Sequence, residues 1–401
     1  MKRPAVVLAP ALAAALIVLG ALALFMRAPL FWERYLSAHT QPAARTPAWY
    51  QPRERILGGE QPVAPRVTPE LESLDPRALA AAAEYAAAQG SLALIVARHD
   101  HIVLERYWQG SSFDTLTDAQ SFTRLLAALA TGVAISHRRI GWPDEPIGYI
   151  LRELARDPRS AITVRNLMQL SSGLAPAAPS RAPWGEAARE LYGTDIVGSA
   201  LARPLAGVPG ENRTPQPADP QLLAFALERA TGERYASYLS EVLWRRIGAS
   251  DAWLYLDRSA GAAHADCCML ARQGDWIRVA ELLLGDGNYR GYEIIRPGWV
   301  SAMRLPARAN RDYGAYLRLS AAAAGASEPY IAPDTYAVDN DGGNRLWLIP
   351  SLQIAVLCTA IRPRGADFDD ARIPNLIVGG ARDFVPPAAR PGDLSKIVPG
   401  H

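Results

Sequence analysis

Residues 4–26 form a run without one charged side chain. At ~1.5 Å per helical residue such a run can cross a hydrocarbon core of about 30 Å. Lys2 and Arg3 precede it, and Phe31 and Trp32 follow, as a cytoplasmic basic flank and interfacial aromatics would. The pattern predicts a membrane anchor over 1–35, with a signal peptide cut near Ala21-Leu22-Ala23 as the rival. Either reading puts the rest of the chain on the extracytoplasmic, periplasmic side. Residues 36–72 lack periodicity and are rich in Pro, Arg, Gln and Thr, which predicts an irregular tether.

Beyond residue 73 the periods become regular. Asp75-Pro76 reads as an N-cap with Pro at the first helical position, and the Ala-rich run to Gln89 as a helix that Gly90 stops. Leu92–Val96 and Ile102–Tyr107 predict a hairpin around Arg98-His99-Asp100-His101, whose histidines read as a solvated turn. Phe122, Leu125, Leu126, Leu129 and Val133 form one helical stripe. Further helices are predicted over 162–170, 184–191, 221–230, 235–247 and 276–284. Arg345–Ile349 and Gln353–Thr359 read as a second pair of strands. An early and a late hairpin around a helical middle predict one sheet built from both chain ends.

Composition narrows the function. With 42 basic and 40 acidic side chains, the net charge of +2 offers no field for nucleic acid. Three cysteines make no disulfide framework, and no C-x-x-C or H-E-x-x-H spacing announces a metal; no cofactor is expected. Cys267 and Cys268 are adjacent and read as poorly placed to pair with each other. They read as small buried hydrophobes, with a soft-metal or redox pair as the alternative.

Several strings resemble the β-lactamase-related serine hydrolases, the penicillin-recognising fold of class C β-lactamases, esterases, D-alanyl peptidases and aminohexanoate-oligomer hydrolases. Ser121-Phe122-Thr123-Arg124 stands where that family has S-x-x-K, followed by Gly132-Val133-Ala134-Ile135 for its G-x-A-I. Ile162–Met168 with Ser171-Ser172-Gly173-Leu174 resembles I-T-V-R-H-L-L…T-S-G-L. Glu293–Val300 resembles I-L-S-P-E-W-V, and Gly342–Pro350 resembles G-G-Q-R-I-x-V-x-P. The resemblance implies an α+β fold: a five-to-seven-strand antiparallel sheet flanked by helices, plus a helical lobe, over 73–385, with 386–401 as a tail.

It also implies a nucleophile, Ser121, which would form an acyl-enzyme with an amide or ester. The family's lysine takes the serine proton, and here that position is Arg124. A guanidinium, with a pKa above about 12, cannot act as that base. In the family's P-G-x-x-F-x-Y-S-N string, Pro209-Gly210 keep the start, while the tyrosine and asparagine positions are Pro215 and Pro217. The third element falls at Asp339, Asp341, Gly342, Gly343 and Asn344, expected to bind substrate. Two readings follow. One is a catalytically impaired envelope protein holding a small molecule or cell-wall peptide. The other is an active hydrolase with Asp339, Asp341 or His264 as substitute base.

Overall fold

The computed structural model describes residues 26–40, 49–59, 61–178, 182–338, 342–361 and 367–386, with Gly20, Ser180, Asn340 and Gly365. The predicted span 4–26 lies outside the described residues except for Gly20 and Met26, and the tail lies outside from residue 387. Among the described residues no helix is long and apolar enough to cross a membrane.

The first antiparallel sheet has six strands in the order His101–Tyr107, Ala93–Arg98, Ile354–Thr359, Arg345–Ile349, Tyr336–Val338 and Leu317–Arg318. Both predicted hairpins are present and pair with each other, so the two chain ends share one sheet. Ala93–Arg98 and Ile354–Thr359 are buried at every residue, because both faces are covered. Alternate side chains leave a strand on opposite faces. Leu94, Val96, Ile354 and Val356 meet Leu79, Ala82, Ile373 and Ile377 of the helices Pro76–Ala88 and Arg372–Gly379. Ile95, Ala97, Ala355 and Leu357 join Phe122, Leu125, Trp276 and Ile277 on the other side. Asp75 caps Pro76–Ala88 as its sequence predicts, its side chain accepting from the Arg77 amide.

Helix Phe122–Ser136 corrects a sequence expectation. In place of one buried stripe, every residue from Phe122 to Ala134 is buried. Small residues make this possible by admitting neighbours close to the backbone. The Trp299 indole donates to the Ala128 carbonyl at 3.1 Å, and a Cβ on Gly132 would sit 2.5 Å from that ring. The predicted helix 162–170 is shorter, Val164–Met168. Thr163 and Asn166 form a capping box at its start, and Leu170 turns left-handed (φ 52°) after its end.

The segment 36–72 is not simply irregular. Helix Pro29–Thr40 buries Phe31, Arg34 and Ala38 against the domain, and Phe31 packs on Tyr192. Arg34 donates to the carbonyls of Gln51, Tyr192, Gly193, Leu256 and Asp257. Arg53–Ile56 pairs with Ala252–Tyr255 in a second antiparallel sheet, completed by Met269–Arg272 and Leu116–Asp118. Between the sheets lies the helical lobe, whose main members are Phe122–Ser136 and Ala218–Thr231.

Asp370 ties the far end of the first sheet. It is buried and accepts from Arg345 Nε at 2.6 Å, Tyr330 OH at 3.0 Å and Trp347 Nε1 at 3.1 Å, and pairs with Arg318. Burial pushes its carboxyl up, but the charges of Arg318 and Arg345 and the donated hydrogen bonds together hold it below the ordinary range. Removing one partner of a buried pair costs about 3–5 kcal/mol. Asp370→Ala is therefore expected to lower the urea-unfolding free energy by about that amount. A loss below about 1 kcal/mol, no more than a surface pair contributes, would show that the network does not hold the sheet edge.

Candidate active site

The first turn of helix Phe122–Ser136 is tight. Phe122, Thr123 and Arg124 donate to the carbonyls of Ala119, Gln120 and Ser121. The turn thus satisfies its amides through the backbone, and the Ser121 side chain makes no capping bond. Among the described residues no hydrogen bond reaches Ser121 Oγ. The hydroxyl is half-buried at a helix N-terminus, where partial positive charge favours an anion.

Arg124 is 1% exposed, and its Nε donates to the Ser121 carbonyl at 3.3 Å. Burial pushes the nearby Tyr316 phenol well above its ordinary value and Asp219 pushes it further, while the Arg124 charge pulls it down. Tyr316 OH donates to Leu167 O at 3.1 Å, so it is no base for Ser121. Lysine stands only at positions 2 and 396 of the chain. No lysine from elsewhere in the domain can replace the missing one.

The structure brings the predicted third element to Ser121. Asn344 N donates to Gln120 Oε1 at 3.2 Å, and its side chain joins Asp118 O and Ala360 N at 3.1 Å each. Asn344 is 2% exposed, so its amide positions the loop against the turn that carries Ser121. Gly342 approaches so closely that a Cβ there would collide with the Gln120 side chain. Gly343 is buried beside them. Asp339 and Asp341 lie outside the described residues.

On the other flank, Ala119 N donates to Met269 O at 2.8 Å, and Met269 N donates to Thr123 Oγ1 at 3.2 Å. Just before Met269 the structure corrects the reading of the cysteines: Cys267 and Cys268 are bonded to each other. Adjacent side chains diverge in extended backbone. Cys268 has φ 76°, which breaks that alternation.

His264, one of the substitute bases that the active-hydrolase reading offers, is committed elsewhere. It is buried, and its Nε2 lies 2.8 Å from Tyr50 OH. Burial, helped by the Arg34 charge, pushes its pKa down to about 3. Its ring lines a cavity of about 370 Å³ with Glu190, Pro217, Gln221, Asp266 and Cys267 among the walls. Pro217, at the family's asparagine position, therefore faces that cavity, while Pro215 is exposed.

The Beta-lactamase family model matches residues 78–328. The chain belongs to the Beta-lactamase family. A 6-aminohexanoate-dimer hydrolase of Paenarthrobacter ureafaciens is 25% identical over 227 residues, 53% of this chain and 56% of that protein. The chain thus spans little more than half the length of this curated relative. A Bacillus anthracis structure classed with the 6-aminohexanoate-dimer hydrolases has a TM-score of 0.69 at 16% identity, covering 87% of this chain and 93% of its own. A family VIII carboxylesterase has a TM-score of 0.59 at 16% identity, covering 82% and 99%. At these identities the structures show the shared fold.

One buried acid of this Beta-lactamase family member escaped the sequence reading. Asp219 is 0% exposed in the first turn of Ala218–Thr231. It accepts from Ser172 Oγ at 2.5 Å and from Gln216 Nε2 at 3.3 Å. A signal was present, since an acid directly before Pro220 favours a helix start. Burial raises its pKa to about 8; the Ser172 and Gln216 bonds oppose that and the Asp266 charge adds to it.

The unfolded carboxyl titrates near 4, so the folded state keeps a proton that the unfolded chain loses. Its stabilising contribution is full below about pH 4 and is lost as pH rises toward 8. Between pH 5 and 8 the wild type should lose on the order of 1 kcal/mol per pH unit relative to Asp219→Asn. Parallel profiles from urea unfolding across that window would refute the assignment.

Proposed function

We propose that this chain is a Beta-lactamase-fold serine hydrolase relative with impaired turnover, which uses its cleft to hold a small molecule or a cell-wall peptide. The observation that carries the reading is Arg124. It is buried one turn after Ser121 and bonded to the Ser121 carbonyl, in a chain with no lysine between residues 2 and 396. A guanidinium cannot take the serine proton, and a positioned base contributes about 10²–10⁴-fold. The cavity of about 370 Å³, lined by Pro217, Gln221 and His264 and not by Ser121, has the size of a small-molecule site. The charge-free run 4–26 and the bonded cysteine pair support an extracytoplasmic, envelope location, by anchor or by cleaved signal.

One observation favours a second reading, an esterase or amidase that forms an acyl-enzyme on Ser121. Among the described residues nothing bonds the Ser121 hydroxyl, which lies at a helix N-terminus. The similar proteins described as an amide-dimer hydrolase and a carboxylesterase name substrate classes for it.

Intact-mass labelling with a fluorophosphonate separates the two. The wild type is expected to gain no adduct, and its ester hydrolysis should equal that of Ser121→Ala. Arg124→Lys restores a side chain able to lose its proton and should give slow labelling at Ser121. A wild-type adduct that Ser121→Ala abolishes would sink the impaired reading.

A further inference from the structure

The bonded cysteine pair has a third member. A ring nitrogen of His264 and the sulfurs of Cys267 and Cys268 all lie within 4.8 Å of one another. The histidine is held as a metal-binding imidazole would be. Tyr50 OH gives its single proton to Leu191 O at 2.9 Å, so toward Nε2, 2.8 Å away, it can only accept. The ring proton therefore sits on Nε2 and the lone pair on Nδ1. Metal-binding histidines characteristically donate their other N–H in this way, which fixes tautomer and ring orientation. Tyr50 is itself fixed, stacked on Tyr255 with ring centroids 4.5 Å apart and covered by the Arg34 guanidinium at 4.1 Å. The His264 ring and Cys267 both line the 370 Å³ cavity, which offers an ion a way in.

We propose that His264, Cys267 and Cys268 form a redox-gated site for a closed-shell d¹⁰ cation, Zn²⁺ or Cu⁺. Thiolate and imidazole ligands suit these ions. The disulfide is the closed form. A dithiol donor opens it by supplying two electrons and two protons: the Cys267–Cys268 bond breaks, the donor becomes a disulfide, and two thiols form. Metal binding then releases the two thiol protons. The site is independent of turnover at Ser121, so it stands or falls apart from the function proposed above.

The test uses the full chain, reduced with dithiothreitol, desalted under argon and titrated with Zn²⁺ against a chromogenic chelator. One Zn²⁺ should bind per reduced chain and none per untreated chain. Cys267→Ser and Cys268→Ser should each weaken binding at least tenfold. Tyr50→Phe removes the acceptor for Nε2–H and should weaken it about 10–100-fold. Cys358→Ser should change nothing, because that thiol is buried beside Ser91 in the central sheet. Cys267 is only half-buried, so Cys267→Ser alone decides the matter if the Cys268 or Tyr50 variant fails to fold. Equal uptake by untreated and reduced chains overturns the proposal. So does unchanged affinity in Cys267→Ser, or no uptake by the reduced chain.

Discussion

The pairing of Ala93–Arg98 with Ile354–Thr359 sets the form of everything between them. These strands come from opposite ends of the chain, match residue for residue over six positions, and are buried throughout. Closing so long a loop costs entropy, but that cost grows only slowly with length. Two apolar faces repay it, one against Pro76–Ala88 and Arg372–Gly379 and the other against the helical lobe. The third element of the cleft then follows. Arg345–Ile349 pairs beside Ile354–Thr359, and the residues just ahead of it land on Gln120, next to Ser121. The cleft is thus a by-product of the sheet and survives whether or not chemistry takes place in it.

Buried arginines tie the peripheral segments to this frame. Arg34 carries the N-terminal helix onto five backbone carbonyls. Arg98 reaches the carbonyls of Glu72 and Leu352 and pairs with Asp383, which joins the start of the domain to its end. Arg318 and Arg345 converge on Asp370. A guanidinium has five donors in a rigid fork, so it can saturate several acceptors at once and stay charged in a buried place. Arg124, buried and bonded to the Ser121 carbonyl, follows the same habit. Its position in the serine helix resembles a catalytic residue's, while its contact resembles those of the structural arginines.

Four strands of the first sheet were legible because they are apolar runs bounded by turns, while Tyr336–Val338 and Leu317–Arg318 were too short to show a period; helix Pro76–Ala88 was legible because its cap at Asp75 is explicit. The second sheet was not. Arg53–Ile56 reads R-E-R-I, and Leu116–Asp118 has three residues, too few to show a period. Their burial depends on partners far along the chain, Ala252–Tyr255 and Met269–Arg272. At the site, Ser121, Arg124 and the 342–344 loop were placed together by local strings. Asp219 and Tyr316 were not, because each is an isolated residue within a helix or turn whose role arises only from what packs on it. The Cys267–Cys268 bond was hidden for a different reason: it accompanies a left-handed backbone at Cys268, a non-glycine residue, which sequence does not announce.

The prolines at 215 and 217 bear on the proposed impairment, because the resemblance puts a tyrosine and an asparagine at those positions. Pro217 sits at the N-cap of Ala218–Thr231 with φ −66°, the value its ring enforces, and Pro220 lies in the same first turn. A proline whose native backbone suits it reduces the freedom of the unfolded chain and stabilises by about 0.4–1 kcal/mol. A tyrosine and an asparagine held for catalysis give the reverse, polar side chains kept partly uncommitted at some cost to stability. On the proposed reading, Pro217 stiffens the entry to the helix that holds Asp219 and puts a ring with neither proton carrier nor amide on the wall of the cavity lined by His264 and Cys267. On the same reading Arg124 stands where the resemblance puts a base able to lose its charge, as a cation that keeps its charge and satisfies a carbonyl. On the proposed reading, Pro217 and Arg124 exchange chemical competence for rigidity, which is what a cleft that holds its ligand without turning it over would require.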